Sequence, residues 1–85
     1  MKLNKYVFFI DRTNSLLLLS VDNMRYYALE GFSREIVLTL SRLGKCNKQI
    51  LFSEMLKSNR STEMVCEKHM LDAYEQLVKL GIIKE

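Results

Sequence analysis

Residues 6–29 read YVFFIDRTNSLLLLSVDNMRYYAL, and this stretch decides the fold. Two short polar runs, Asp11–Asn14 and Asp22–Asn23, interrupt an otherwise apolar sequence, and residues of these types favour tight turns. The three segments that they separate are rich in aromatic, β-branched and leucine residues. We therefore predict three β-strands, over residues 6–10, 15–21 and 24–29, joined as an antiparallel meander.

The middle strand and the turn that follows it carry two more specific predictions. Leu16–Leu19 is a short leucine run with turn residues on both sides, which favours a strand buried on both faces over a helix. In the second turn, Asp22 and Asn23 are the residues expected to adopt positive φ, because short Asx side chains tolerate it and bond their own backbone.

After Gly31 the apolar period changes from two to about 3.6 residues, which predicts helices. A first helix is expected from near Ser33 to Gly44, a favourable residue just past a helix end. Asn47 is the expected N-cap of a second, shorter helix. The residues predicted to face inward are Ile36, Val37, Leu40 and Leu43 in the first helix and Ile50, Leu51, Met55 and Leu56 in the second.

A long third helix completes the predicted order of elements. Ser61 or Thr62 is the expected cap, the helix runs to about Leu80, and Gly81 ends it so that Ile82–Ile83 folds back. The chain is therefore predicted to be a single α+β domain over residues 1–85, in which a three-stranded antiparallel meander precedes three helices (βββααα).

The composition argues against an enzyme. A chain of 85 residues has little length from which to enclose a deep pocket, and it has one histidine, two cysteines and no tryptophan. Cys46 and Cys66 match no zinc-ligand spacing, and His69 falls on the polar side of the third helix, so we expect no metal, no cofactor and no catalytic site. The two cysteines are expected to be reduced.

The charge and the N-terminal sequence bear on partners and location. The net charge of +3 is spread over both halves of the chain, and its one local excess is Arg42, Lys45 and Lys48, which we interpret as a solvated turn rather than a nucleic-acid site. The apolar run at residues 6–10 meets Asp11–Arg12 and is too short for a signal sequence or a membrane span. We expect a cytoplasmic protein that does not enter a membrane.

The third helix has a wider apolar face than one small core requires. Cys66, Met70, Ala73, Leu77 and Leu80 form one stripe at helical spacing, and Met64, Leu71, Tyr74 and Val78 form a second stripe beside it. Either the small protein uses every apolar residue in its core, or part of this face lines a groove for a partner.

The third strand is the other candidate binding element. As the last strand of a meander it lies at an edge of the sheet, where its unpaired N–H and C=O groups favour pairing with another chain. Arg25 is the only charge along it and the chain has no proline, so the edge is left largely open to pairing. Tyr26 and Tyr27 are interpreted as cross-strand packing residues.

Two segments resemble a known family. Asp22–Gly31 (DNMRYYALEG), a turn followed by Arg-Tyr-Tyr-x-Leu and a helix, resembles the PqqD-like proteins, and Leu77–Ile83 (LVKLGII) is similar to that family's closing helix and glycine turn. These proteins are precursor-peptide recognition elements of ribosomal peptide natural-product (RiPP) pathways. The predicted order of elements and the length also fit, so the resemblance covers nearly the whole chain.

The resemblance implies a winged-helix-like, non-catalytic chaperone that captures the leader of a precursor peptide. The leader would add as a strand to the third strand and press its apolar side chains against the third helix. A stand-alone member of the family typically delivers the peptide to a separate modifying enzyme, often a radical S-adenosylmethionine enzyme. Carried over to this sequence, the peptide-binding residues are Met24, Arg25, Tyr26, Tyr27, Ala28 and Leu29 on the strand and Cys66, Met70, Ala73, Tyr74 and Leu77 on the helix.

Three alternatives remain open at this point. A winged-helix DNA-binding regulator would explain the basic charge, although the third helix mixes acidic residues with basic ones. A small subunit docked permanently on a larger enzyme would use the same groove or the basic turn. An edge-to-edge homodimer would pair two copies of the third strand.

Overall fold

The three-stranded meander forms as the sequence predicts. The computed structural model describes the backbone of residues 1–58 and 63–85, and the side chains of residues 1–57 and 68–85. Within those ranges the elements are β1 (Lys2–Leu3), β2 (Val7–Asp11), β3 (Leu16–Ser20), β4 (Arg25–Leu29), α1 (Gly31–Leu43), α2 (Lys48–Ser58), α3 (Glu63–Lys79) and β5 (Ile83–Lys84). The predicted α+β class and the order of three strands before three helices are confirmed.

The sheet has the order β2-β3-β4, with antiparallel pairing throughout. Leu18 lies at its centre, opposite Phe9 on one side and Tyr27 on the other. Leu16, Leu18 and Ser20 are buried on the inner face, beneath the helices. This arrangement places β4, the third strand of the predicted meander, at an edge of the sheet.

Burial of β3 on both faces is wrong. Leu16 and Leu18 are buried, but Leu17 is exposed and Leu19 is only half-buried. Among the described residues, no second layer packs on the outer face of the sheet, because all three helices lie on the inner side. The leucine run alone could not distinguish one covered face from two.

The turn between β3 and β4 also differs in detail from the prediction. The residue with positive φ is Met24 (φ +54°), not Asp22 or Asn23. The Asp22 carboxylate instead accepts a hydrogen bond of 3.0 Å from Nδ2 of Asn4. A non-glycine residue in the left-handed region is unfavourable, so this turn holds some backbone strain.

The helix boundaries follow the local signals in the sequence. Gly44 (φ +82°) ends α1 and its N–H donates to the Leu40 carbonyl, while Oδ1 of Asn47 accepts a 2.8 Å hydrogen bond from the Ile50 N–H at the start of α2. The helix α1 begins at Gly31, two residues earlier than expected. Ile50 was predicted to face inward and is exposed, whereas the next residue, Leu51, is buried. The expected caps Ser61 and Thr62 lie outside the described residues.

A two-stranded ribbon of the chain ends was not predicted. β1 pairs with β5 so that Lys2 lies opposite Lys84 and Leu3 opposite Ile83. Asn4 locks this ribbon to the rest of the chain: its backbone N–H donates to the Ile82 carbonyl, and its side chain bonds the Gly81 carbonyl and the Tyr6 N–H. The predicted return of the chain after Gly81 is confirmed.

The core fills the space between the inner face of the sheet, the three helices and this ribbon. Its buried apolar members are Leu16, Leu18, Leu29, Ile36, Val37, Leu40, Leu51, Met55, Met70, Tyr74, Leu77, Ile82 and Ile83.

Candidate functional site

The free edge of β4 is the first component of the candidate site. Among the described residues β4 pairs only with β3, so one side of its backbone offers unpaired N–H and C=O groups. Arg25, Tyr26 and Ala28 are exposed, Tyr27 is half-buried against the core and Leu29 is buried. A guest strand at this edge would therefore meet an accessible backbone with few obstructing side chains. Met24, at the entrance to the strand, is also exposed.

One side of α3 faces α2. The Phe52 ring of α2 meets the Tyr74 ring edge-on with the centroids 6.1 Å apart. The Nζ atom of Lys48 lies 5.0 Å from the centroid of the same Tyr74 ring. Successive residues of a helix rotate by about 100°, so Val78, four residues after Tyr74, lies on this α2 side as well.

The opposite side of α3 faces the start of α1, the helix that follows β4. Phe32, three residues after the last residue of β4, lies with its ring centroid 6.4 Å from that of His69. Helical spacing puts Ala73 one turn further along the same side, and Ala73 is half-buried. Ala73 therefore lies on the side of α3 that faces the start of α1, and Tyr74 lies toward α2.

The helix residues expected to bind the peptide do not share one environment. Met70, Tyr74 and Leu77 lie in the core, with exposed fractions of 3% or less, and offer almost no surface in this conformation. Ala73 is half-buried, on the side of α3 that Phe32 contacts. The side chain of Cys66 lies outside the described residues. The wide apolar face of α3 is thus largely explained by core packing.

Tyr74 is held in the core by a specific polar contact. Its hydroxyl donates a 2.9 Å hydrogen bond to Oε1 of Glu85, next to the ribbon strand β5. Burial, followed by this hydrogen bond to a carboxylate, raises the pKa of Tyr74 to about 12. Deprotonation would place a buried phenolate beside the Glu85 carboxylate, so the contact anchors α3 to the C-terminal segment only while Tyr74 is protonated.

The outer face of the sheet is an exposed apolar surface that sequence reasoning missed. Its residues form two rows across all three strands, and we call the six of them the outer face: Phe8–Leu19–Tyr26 and Ile10–Leu17–Ala28. Phe8, Ile10 and Tyr26 are 61%, 65% and 70% exposed. A shallow cavity of about 220 Å³ lies among the side chains of this face. The sequence signal for this face is that residues 6–10 and 16–19 are apolar at every position, so both faces of these two strands carry apolar side chains.

The described side chains provide no constellation for metal or acid–base chemistry. No group of three or more His, Cys, Asp or Glu residues lies close enough to hold a metal ion within the described part of the chain. His69 is exposed, as expected, and Cys46 is a free, half-buried thiol. In the same ranges, no helix has both the length and the apolar character needed to cross a bilayer.

Comparison with known proteins gives one informative match. No family model matches the sequence, and no curated protein matches it. Among solved structures, the chain is similar to TbiB1 in complex with the TbiA(beta) leader peptide, with a TM-score of 0.79 and 17% sequence identity. The match covers 99% of this chain and 95% of that one.

The chain has the fold of TbiB1. The likeness extends over both chains almost completely, so it includes the meander, the three helices and the ends of the chain. It agrees with the predicted α+β fold, in which a three-stranded meander precedes three helices. At 17% identity the likeness concerns the fold alone.

Proposed function

We propose that this chain binds the leader segment of a ribosomally made precursor peptide by adding it as a strand to β4, opposite α3. The observation that carries the proposal is the likeness to TbiB1, whose structure contains a leader peptide and whose fold matches this chain along its whole length. The free edge of β4, and the contact of α3 with Phe32 just after that strand, support this position for the peptide.

Strand addition explains how an edge of this size would recognise a peptide. A paired stretch of about six residues spans about 20 Å, which matches Met24–Leu29. Main-chain hydrogen bonds would set the register, and every second side chain of the guest would point inward toward α3. Micromolar affinity corresponds to about 8 kcal/mol, so the inward side chains must add apolar contacts to the backbone bonds.

The α3 residues expected to bind the peptide fall into two groups: those that would contact the peptide, and those that lie beneath and would support the contacting residues. Ala73 is the described residue that we assign to direct contact, because it is half-buried on the side of α3 that faces Phe32, just after β4. Met70 and Leu77 lie beneath, in the core, and would support the wall rather than touch the guest. Tyr74 faces α2 and would position the helix.

The binding step is tested with a fluorescein-labelled leader peptide taken from the precursor gene nearest to the gene for this chain. Fluorescence anisotropy should show saturable binding, and no saturation up to about 100 µM would reject the proposal. N-methylation at alternate residues of the peptide distinguishes the mode of binding. In strand addition only one alternating set of peptide N–H groups bonds β4, so methylation of one set should abolish binding and methylation of the other should not.

The same proposal assigns the chemistry to a separate enzyme. The chain would act in the cytoplasm as a non-catalytic chaperone that presents the bound leader to its modifying enzyme, for which a radical S-adenosylmethionine enzyme is the expected class. Mixing the chain, the precursor and that enzyme should give modified precursor, whereas omitting the chain should strongly slow the reaction. An unchanged rate without the chain would reject the presentation step.

A second candidate function is favoured by the outer face. An uncharged apolar surface made from every strand of the sheet is typical of a protein–protein contact, so the chain could be a small subunit docked permanently on a larger enzyme. This role would leave the β4 edge free. The docked-subunit role predicts that the chain co-purifies with the product of a neighbouring gene, and that this co-purification is lost when Phe8 and Ile10 are both changed to Thr. Co-purification that survives those changes would argue against the role.

An edge-to-edge homodimer and a leader peptide would compete for β4. Size-exclusion chromatography at rising protein concentration would detect such a dimer, and added leader should then dissociate it.

A further inference from the structure

Three lysines from distant parts of the sequence lie side by side on the ribbon of the chain ends. Lys2 of β1 is the direct antiparallel partner of Lys84 of β5, and on its other side Lys2 forms a β-bridge with Lys45. Residues paired directly across antiparallel strands project from the same face, so the three side chains point the same way. All three are exposed, whereas Leu3 and Ile83 on the opposite face pack in the core.

These lysines have no acidic partner within the described part of the chain. The ion pairs there involve Arg34, Arg42 and Lys57, and none reaches Lys2, Lys45 or Lys84. Asp22 accepts a hydrogen bond from Asn4 and Glu85 accepts one from Tyr74, and neither carboxylate forms an ion pair with these lysines. Like charges placed directly opposite one another destabilise a sheet, so this row opposes folding unless an anion neutralises it.

A pocket adjoins the row and supplies a fourth ammonium group. It has a volume of about 280 Å³ and is lined by Lys2, Asn4, Lys5, Tyr6, Asp22 and Lys84. Both amide hydrogens and the carbonyl oxygen of Asn4 are occupied by contacts within the protein. The Nζ of Lys5 lies 5.0 Å from the centroid of the Tyr6 ring, a contact that leaves its hydrogens free for an anion. Three lysine ammoniums and one carboxylate, that of Asp22, therefore line the pocket, which gives it a net positive charge.

We propose that Lys2, Lys5, Lys45 and Lys84 form a binding site for an acidic segment of a partner polypeptide, because the ribbon aligns lysines directly opposite one another beside a pocket and leaves them without carboxylate partners. Adjacent strands lie about 5 Å apart, so the row is about 10 Å wide and suits two or three neighbouring carboxylates. A nucleic-acid surface usually makes more phosphate contacts and uses arginine forks, and none of the four residues is arginine. The proposal is independent of strand addition at β4.

The test uses the full chain and a fluorescein-labelled hexaglutamate peptide, with hexaglutamine carrying the same dye as the uncharged control. The site variant is Lys2→Gln/Lys84→Gln. The matched control is Lys68→Gln/Lys79→Gln, which removes two exposed lysines of α3 and changes the net charge equally. We expect the site variant to weaken hexaglutamate binding about fivefold or more at about 20 mM salt, and the control to weaken it less than about twofold.

Thermal unfolding gives a second readout that does not depend on any ligand. Removing the facing charges should raise Tm of the site variant above that of the wild type at low salt, and the gain should shrink at about 1 M salt, where charges are screened. A site variant that is less stable than the wild type would show that the lysines are structural and would overturn the proposal. Equal weakening of binding by both double variants, or hexaglutamine bound as tightly as hexaglutamate, would also overturn it.

A nucleic-acid outcome is separable in the same experiment. If a single-stranded oligonucleotide of six nucleotides bound more tightly than hexaglutamate through the same two lysines, the acidic-segment proposal would be replaced by a nucleic-acid site. We expect the oligonucleotide to bind no more tightly than hexaglutamate.

Discussion

Replacement of Tyr74 by Phe tests the orientation of α3 from which the position of the proposed peptide groove is derived. The Tyr74 side chain is buried against α2 and its hydroxyl bonds Glu85, and together these raise its pKa to about 12. The Tyr74→Phe variant keeps an aromatic ring in contact with Phe52 but lacks the hydroxyl. The substitution therefore isolates the polar part of the anchor.

The magnitude follows from linkage between proton binding and folding. In the unfolded chain a tyrosine releases its proton near pH 10, whereas folded Tyr74 retains its proton until about pH 12. Tyr74 thus contributes its full stabilisation below pH 10 and loses it as the pH rises from 10 to 12. Two pH units correspond to about 2.7 kcal/mol, so Tyr74 should account for a loss of about 2–3 kcal/mol of unfolding free energy over that interval.

The assay is urea unfolding followed by far-ultraviolet circular dichroism, at a series of pH values between 8 and about 11.5. Lysines and the other tyrosines also titrate there, so the quantity of interest is the difference between the wild type and Tyr74→Phe. At pH 8 the variant should be less stable by about 1 kcal/mol, since one hydrogen bond is lost, and the difference should vanish and then reverse as the pH rises.

Glu85→Gln provides the matched control for the cause of the shift. It removes the carboxylate but leaves Tyr74 buried, so the alkaline loss should become smaller without disappearing, because burial is the larger cause. If the wild type and Tyr74→Phe lost stability in parallel up to pH 11.5, Tyr74 would be exposed in solution. The assignment of the Ala73 side of α3 to the peptide would then fail with it.

Three further predictions concern the turn, the helix wall and the outer face. Met24→Gly should raise the unfolding free energy by about 0.5–1 kcal/mol, because Met24 is exposed and has positive φ. Asn23→Gly, the control, should give no gain. Equal effects of the two substitutions in urea unfolding would refute the assignment of strain to Met24. Ala73→Phe should weaken binding of the labelled leader about tenfold or more, because the larger side chain fills the space beside β4. Val78→Phe, on the α2 side, should leave the affinity of the folded protein within about twofold. The reverse order of effects would place the groove on the other side of α3. Phe8→Thr/Ile10→Thr should reduce the binding of a hydrophobic dye. The double substitution should change the unfolding free energy by less than about 1 kcal/mol, because both side chains are largely exposed. A loss of several kcal/mol would mean that a layer covers the outer face in solution.

The local elements of the fold were predictable because their signals are local. Gly44 ends α1 and Asn47 caps α2 through contacts within four residues, and the turns around β3 contain the residue types that such turns prefer. The edge position of β4 followed from the order of elements, because the last strand of a meander gains a second neighbour only if another segment returns to it.

The features that sequence reasoning missed depend on contacts between distant residues. Lys2 and Lys84 meet because Asn4 bonds the turn at Gly81, and two-residue strands carry no periodicity that predicts such a pairing. The exposed outer face depends on which side of the sheet the helices cover, and both sides of Leu16–Leu19 are equally apolar. The rotation of α3 likewise depends on Phe32 and Phe52, which meet it from opposite sides.

Strand addition at β4 is tested most directly by amide hydrogen exchange with and without the leader peptide, measured residue by residue by nuclear magnetic resonance. The N–H groups of β4 that bond β3 are already protected in the free protein, whereas those that face the open edge exchange with solvent. On binding, the edge-facing set should become protected, and cross-strand nuclear Overhauser effects should link the peptide backbone to β4. Protection confined to the outer face or to the lysine ribbon, with the edge-facing N–H groups of β4 exchanging as before, would contradict the account.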